Sequence, residues 1–431
     1  MLHPNLAINR QGHLTIGGVD TVTLAEKYGT PLYILDEDVI RNKCRTYVDS
    51  MKKYFGGNSV PLYASKALSF KGIYTIAAEE GMCIDVVSPG EIYTALQAGF
   101  PASRMYFHGN NKTIDDIRYA INNGVGHFIV DNERELCDID AVAAEAGIRQ
   151  DVLVRITPGI DPHTFAAVNT GKIDCQFGIP LATGQALPFV GEVLKKPHIQ
   201  LRGFHCHIGS QIFDEVPFCD ATDLMLDFVS DIRDTYGYTA EVLNLGGGFG
   251  VRYVESDPQI DIAACIQKLS IHVKAKCEAH KLPTLDILME PGRSIVADAG
   301  ITVYSVGGTK TIKGYKNYVS VDGGMTDNPR YALYGSAYTI ALANKADVPA
   351  DYLCTVAGRC CESGALIQEN VLLPKPVAGD LLAVFVTGAY NHSMSSNYNR
   401  ICRPPIVMVA GGQDRLAVRR ETFEDLVARD L

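Results

Sequence analysis

The chain has no basic tract, and its 39 Lys and Arg are outnumbered by 49 Asp and Glu, leaving a formal net charge of -10. A field of that sign repels phosphate backbones and anionic bilayers, which argues against nucleic acid or an acidic membrane surface as partner. An anionic substrate must therefore be held by local arginines. No stretch approaches the roughly 20 apolar residues of a membrane span, and residues 1–14 carry no apolar signal run. Low-complexity tracts and short internal repeats are also missing. Twelve cysteines without a secretory signal read as reduced thiols, so the expected location is cytoplasmic.

What the chain has in quantity is apolar material. At 431 residues and 47% hydrophobic it can bury a large core, and an α/β barrel would absorb roughly 250 of those residues as one domain. Short apolar runs suited to buried parallel strands recur at 60–65, 83–87, 105–107, 127–130, 152–156, 201–206, 242–245 and 286–289. Helical patterns lie between them. One begins at Ser88, Pro89 and Glu91, which resemble a capping box with proline at the first helical position, carries Ile92, Ala95 and Leu96 on one face, and stops at Gly99. Eight repeats of this beat predict a (β/α)8 TIM barrel over 36–295. From about Ile301 the pattern changes to β-rich segments separated by Gly, Pro and Asn, predicting a mostly antiparallel β domain from 296–431 and 1–35. Alternation at 13–19 offers that domain a further strand, and the last residues read as a short terminal helix.

In a barrel of this kind active sites form at the C-terminal ends of the strands. Lys66 ends the first run, in VPLYASKALSF, where a buried ammonium would be costly unless it snorkels to solvent or is held desolvated as an amine nucleophile. His108 ends the third run, Asp131 the fourth, and Arg155 lies near the end of the fifth. His207 follows the sixth, Gly246, Gly247 and Gly248 the seventh, and Glu290 the eighth. Each has an ordinary alternative: the glycines a flexible turn, the glutamate a solvated strand end, the histidine a satisfied core group. As a set they ask for one ligand. The lysine suits an aldehyde, the glycines suit a phosphate wrapped by backbone amides at a helix N-terminus, and Glu290 suits a basic ring nitrogen. Pyridoxal 5′-phosphate (PLP) carries all three groups.

The ordered motifs VPLYASKAL, DVVSPGE, FHGNNK, GFHCHIGSQI, LNLGGGFG, MEPGRS, VDGGMTDNPRYALYG, CCESG and GAYNHSMSSNYN resemble those of the diaminopimelate decarboxylase family over nearly the whole chain. That family has the alanine-racemase-like (fold type III) architecture of PLP enzymes. The resemblance implies that Lys66 bonds covalently to the cofactor, that His207 stacks on its ring and that Glu290 pairs with its pyridine nitrogen. It also implies that Asp85, Ser210, Gly247, Gly248, Gly292, Arg293 and Tyr390 line the cofactor. Arg293, Arg330, Tyr334 and Tyr390 would bind the distal end of the substrate, with Glu362 on its amine. Cys361 and Glu362 are similar to residues that family members insert into the partner subunit's site, which implies a homodimer. The implied reaction is decarboxylation of meso-diaminopimelate to L-lysine. A carboxylate on the ring nitrogen keeps it protonated, a strong electron sink suited to losing CO2, where an arginine would suit racemisation. Cys361 is the leading donor of the final proton, with Lys66 as the alternative.

Four positions depart from the family's pattern: Ala365 where aspartate is usual, Tyr331 where proline is frequent, Gln176 for a common lysine, and His392 for a frequent tyrosine. Other readings stay open at this level. Decarboxylases of ornithine, D-lysine or arginine would share the cofactor site but not the need for two arginines at a second carboxylate. His205 and His207 resemble the His-x-His of metal-dependent barrel hydrolases. A non-catalytic relative would keep the fold alone.

Overall fold

The computed structural model describes residues 2–160 and 175–431. By its internal contacts the chain forms two compact units, one of Lys43–Gly250 with Gln259–Gly292, the other of Met1–Asn42, Val251–Pro258 and Arg293–Leu431.

The first unit is a closed parallel barrel. Its strands are Val60–Ala64, Cys83–Val86, Met105–Phe107, His127–Val130, Gln150–Thr157, Ile199–His205, Val242–Asn244 and Asp286–Met289. Neighbours pair in parallel all the way round, and the eighth returns to the first with Leu288 opposite Val60. Near-continuous apolar runs fold this way because both faces of each strand are covered, one by helices and one by the barrel interior. Leu62, Cys83, Tyr106, Ile129, Leu153 and Leu288 fill that interior as a single buried cluster. Below the mouth it is solid, so chemistry is confined to the strand ends.

Local sequence sets the helix starts. Ser88 accepts a hydrogen bond at 3.2 Å from the Glu91 amide at the start of Pro89–Gln97. The Glu91 carboxylate takes the Val87 amide at 2.8 Å, one residue earlier than in a true capping box. Gly99, at φ +77°, ends that segment as its sequence position predicts.

The second unit is β-rich. Its large sheet runs Leu366–Leu373, Tyr352–Ala357, Lys316–Val321, Gly300–Ile312, Leu32–Asp36, Ile406–Ala410 and Gln413–Val418 in spatial order, and most of its pairings are antiparallel. The strand expected at 13–19 is present in this unit: Leu14–Ile16 pairs with Leu6–Ile8 and Val19–Asp20 in a separate three-stranded sheet. The strand the large sheet takes from the N-terminal region is Leu32–Asp36, which is buried along its whole length and so lacks the alternation that marks an edge or surface strand. Among the described residues no helix is long and apolar enough to cross a membrane.

Candidate active site

Lys66 does not sit in the apolar strand. The first barrel strand stops at Ala64, and Ser65–Ala67 forms a single 3-10 turn between whose buried neighbours the Lys66 side chain is exposed. The burial anomaly expected from sequence is thus resolved by one turn of chain. The ammonium still acts on the barrel mouth: its charge favours the ionised forms of Asp85 and Glu91 and disfavours a charged His207. The Pro291–Gly292 turn packs against the same place. The Ala64 amide donates to the Pro291 carbonyl at 3.1 Å, and a Cβ on Gly292 would stand 3.0 Å from Ala64 Cβ and 3.1 Å from Ala67 Cβ.

Glu290 sits just after the eighth strand and is 7% exposed. Asn244 Nδ2 donates to its Oε1 at 2.7 Å, and His205 Nε2 lies 3.2 Å from its Oε2. His108 Nε2 is 2.9 Å from Oε1 but out of hydrogen-bond alignment, and the two imidazoles meet edge to face at 4.9 Å. Burial works against this carboxylate, yet the adjoining imidazoles of His108 and His205 hold it well below the usual carboxylate range. The same burial pulls His205 down to about 4, so at neutral pH it is an uncharged ring whose Nε2–H is assigned toward Glu290. Asp85 is also buried, 4.0 Å from His108 Nε2, and its Oδ1 has no hydrogen-bond partner. Burial raises its carboxyl, with His108 opposing. Asn244 was not foreseen. A buried asparagine ending a barrel strand, just before three glycines, is the signal that could have found it.

The glycine run works differently from the sequence expectation. The next helix, Ile262–Ala279, starts well beyond it, so the run does not open that helix. The Gly246 amide donates to Asn244 Oδ1 at 2.9 Å, and the Gly247 amide to His207 Nδ1 at 3.3 Å. Glycine is required here for close approach: a Cβ on Gly247 would lie 2.1 Å from the Glu290 carbonyl oxygen, and Gly248 adopts φ +118°. His207 is half-buried beside the run. Desolvation, then the charges of Lys66 and Arg155, hold its imidazole well below its ordinary value, and a neutral ring matches an Nδ1 that accepts from a backbone amide. Ser210 is half-buried three residues further on. Asp131 and Arg155 serve the neighbouring chain instead: Asp131 Oδ1 takes the Gly178 amide at 2.8 Å, and the Arg155 guanidinium lies 4.5 Å from the Phe177 ring centre. Gln176 is exposed beside them.

In the β-rich unit two arginines converge on one tyrosine. Arg293 and Arg330 are each 6% exposed, and their guanidinium carbons lie 4.8 and 5.2 Å from the Tyr390 ring centre. Arg293 also donates to Tyr253 Oη at 2.8 Å, and Arg330 lies 5.0 Å from the Tyr334 ring. Tyr390 holds a left-handed φ of +62°, a strained conformation of the kind concentrated at functional sites. Tyr253 is a further member that the motifs did not single out.

Cys361 and Glu362 lie on an exposed loop between strands Tyr352–Ala357 and Leu366–Leu373. Asn399 Oδ1 takes the Cys361 amide at 2.8 Å, and Glu362 Oε1 takes the Gly364 amide at 3.2 Å. The departures fit around them. Ala365 is 2% exposed, its amide donates to the Glu362 carbonyl at 3.0 Å and its carbonyl accepts the Gly358 amide at 2.7 Å, so the backbone closes this loop. Tyr331 donates to Glu369 at 2.9 Å, pinning the Arg330–Tyr334 helix to a strand, and His392 packs edge-on against Tyr33 with ring centres 5.5 Å apart.

Taken together, the barrel mouth offers the Lys66 amine, an ionised carboxylate shaped by three neighbours and a glycine-made close approach, a donor set that fits an aldehyde-bearing aromatic cation. Residues 38–297 match the pyridoxal-dependent decarboxylase family at its pyridoxal binding domain. The diaminopimelate decarboxylase of Bacillus subtilis (strain 168) is 46% identical across 100% of this chain and 98% of its own. A solved diaminopimelate decarboxylase from M. jannaschii in complex with L-lysine shares 33% identity at TM-score 0.91, covering 100% of this chain and 99% of that one. A lysine/ornithine decarboxylase from Vibrio vulnificus complexed with putrescine is more distant, at 25% identity and TM-score 0.74 over 90% and 97%. The alanine-racemase-like barrel and β domain expected from the motifs are those of this fold. The chain belongs to the PLP-dependent decarboxylases and, among them, to the diaminopimelate decarboxylase family.

Proposed function

We propose that the protein removes CO2 from meso-2,6-diaminopimelate to give L-lysine, and that it works as a cytoplasmic homodimer. The observation that carries the reading is Glu290, a carboxylate kept ionised in a buried nest of Asn244, His205 and His108. PLP, when bound, supplies an electron sink for the pair left behind as CO2 departs. Lys66 would be the amine that holds the cofactor through its aldehyde and gives it up to the substrate amine. Glu290 would keep the ring nitrogen protonated, which deepens the sink for decarboxylation. His207, neutral and half-buried, would stack on the ring, and Asp85 would line it. Ser210, Gly247, Gly248, Gly292, Arg293 and Tyr390 would hold the phosphate and the rest of the cofactor.

Arg293, Arg330, Tyr334 and Tyr390 take the distal end of the substrate, where a second carboxylate distinguishes diaminopimelate from ornithine, lysine or arginine. The partner copy contributes Cys361, which returns a proton to the carbon that lost CO2, and Glu362, which binds the distal amine. Their exposure in a single chain is what a loop serving a second copy requires. Twelve cysteines, all free, suit a reducing compartment.

The test follows CO2 and lysine release from meso-diaminopimelate in the wild type and in Lys66→Ala. Release from ornithine or arginine with none from diaminopimelate would overturn the substrate. Absence of a borohydride-trapped PLP adduct on Lys66 would overturn the cofactor role. A metal reading has one observation behind it: ligand atoms of His108, His205 and Glu290 lie within 4.8 Å of one another. Asn244 already donates to one Glu290 oxygen and His205 lies at hydrogen-bond distance from the other, so both carboxylate oxygens are engaged. Full activity after exhaustive chelation is expected, and loss restored by a divalent metal would favour the metal.

A further inference from the structure

The FHGNNK loop holds a second buried ion that the chemistry above does not use. The side chains of Lys112 and Glu135 are 1% and 2% exposed. Lys112 Nζ donates to Glu135 Oε1 at 2.8 Å, to the Ile129 carbonyl at 2.8 Å and to the Gly109 carbonyl at 3.0 Å. An ammonium has three N–H donors and each here has an acceptor, whereas a neutral amine would leave one acceptor without a donor. Taking two charges out of water carries a penalty that a buried pair often does not recover as stability. The pair is better explained by what it fixes in place.

That object is His108. Gly109 follows it directly and holds φ +129°, so the carbonyl bound by Lys112 belongs to the turn that carries the imidazole. The His108 amide is fixed from the other side by the Val86 carbonyl at 2.8 Å. Lys112 ties the turn to the end of the fourth strand at Ile129, and Glu135 extends the tie by accepting the Asp131 amide at 3.3 Å. A second strap runs in parallel: Asn132 accepts the Glu135 amide at 3.0 Å and donates to the Asn110 carbonyl at 3.2 Å. The imidazole so held stands 2.9 Å from the Glu290 carboxylate.

We propose that Lys112 and Glu135 are a positioning pair that fixes His108 against Glu290 and thereby sets how firmly that carboxylate holds the cofactor's ring nitrogen. The last step rests on the PLP reading above; the placement of His108 does not.

The test uses full-length protein with labelled histidine rings, with and without PLP, in Lys112→Met, Glu135→Gln and the double variant. The His108 ring resonances are expected to move in both single variants while those of His272, on the outer helix Ile262–Ala279, stay in place. PLP dissociation should rise about 10- to 100-fold, the range for losing an outer hydrogen-bonding partner of a ligand, with kcat lowered more than KM is raised. Unmoved His108 resonances together with unchanged PLP affinity, in folded variants with lowered melting temperature, would reduce the pair to structure and overturn the proposal. Where a single variant fails to fold, the double variant removes both buried charges at once and carries the same two readouts. Wild-type protein that bound no PLP would overturn the cofactor reading, and the His108 resonances would still decide the positioning pair.

Discussion

Glu290 shows how neighbours can keep a buried carboxylate ionised and oriented. A glutamate at the end of a strand is by default solvated, but here burial and three polar neighbours leave it ionised and directed. Glu290→Gln keeps the shape and removes the charge, so kcat/KM is expected to fall about 100- to 1000-fold, as for removal of a preorganised electrostatic group, with steady-state kinetics as the check. His205 brings an acid liability with it. Folded, it titrates at about 4, against 6.5 ordinarily. Between those values the unfolded chain binds the extra proton, so stability is whole above pH 6.5 and declines as pH falls toward 4, by up to about 3 kcal/mol from this residue. Urea unfolding at pH 7.0 and 4.5 is expected to show this loss reduced in His205→Gln; an unreduced loss would assign the acid sensitivity elsewhere.

Among the elements around the site, the turn after the seventh strand is tightly constrained. The Glu290 amide donates to the Gly246 carbonyl at 2.8 Å, and the Gly247 Cα faces the Glu290 carbonyl so closely that no side chain fits. Gly247→Ala must push the Glu290 turn outward, at about 1–3 kcal/mol of strain, and PLP affinity should drop roughly tenfold or more. Gly308→Ala, in a strand with open space around the new methyl, is the matched control and should bind PLP normally. Equal affinities in the two variants would show that the turn tolerates displacement. Much of this was legible in sequence: an N-LGGG run after an apolar strand marks a tight turn at a strand end. Which groups the amides serve was not legible, because that depends on His207 arriving from a different strand.

For the whole molecule the decisive question is what completes the site. Cys361 and Glu362 are exposed in the single chain, whereas Lys66 and Glu290 belong to the barrel of the same chain. If each site takes its proton donor from the partner copy, Lys66→Ala and Cys361→Ala are each inactive alone. Equal mixing under conditions of subunit exchange should then restore about a quarter of wild-type activity, since half the dimers are mixed and each carries one intact site. No recovery, with exchange verified by mass, would place the donor in the same chain as Lys66.

The sequence alone determined the eight-strand beat, the change to β structure near residue 300, and the strand-end positions of His108, Asp131 and Glu290, because periodicity and strand-end chemistry are local properties written in consecutive residues. Tertiary structure decided the rest. Lys66 left its strand on a 3-10 turn, Asn244 joined the carboxylate, and Leu32–Asp36 became a central strand of a sheet most of whose strands lie beyond residue 300. Each of these depends on partners far away in the chain, and a buried asparagine or an unalternating strand has no local pattern that names the partner it will meet.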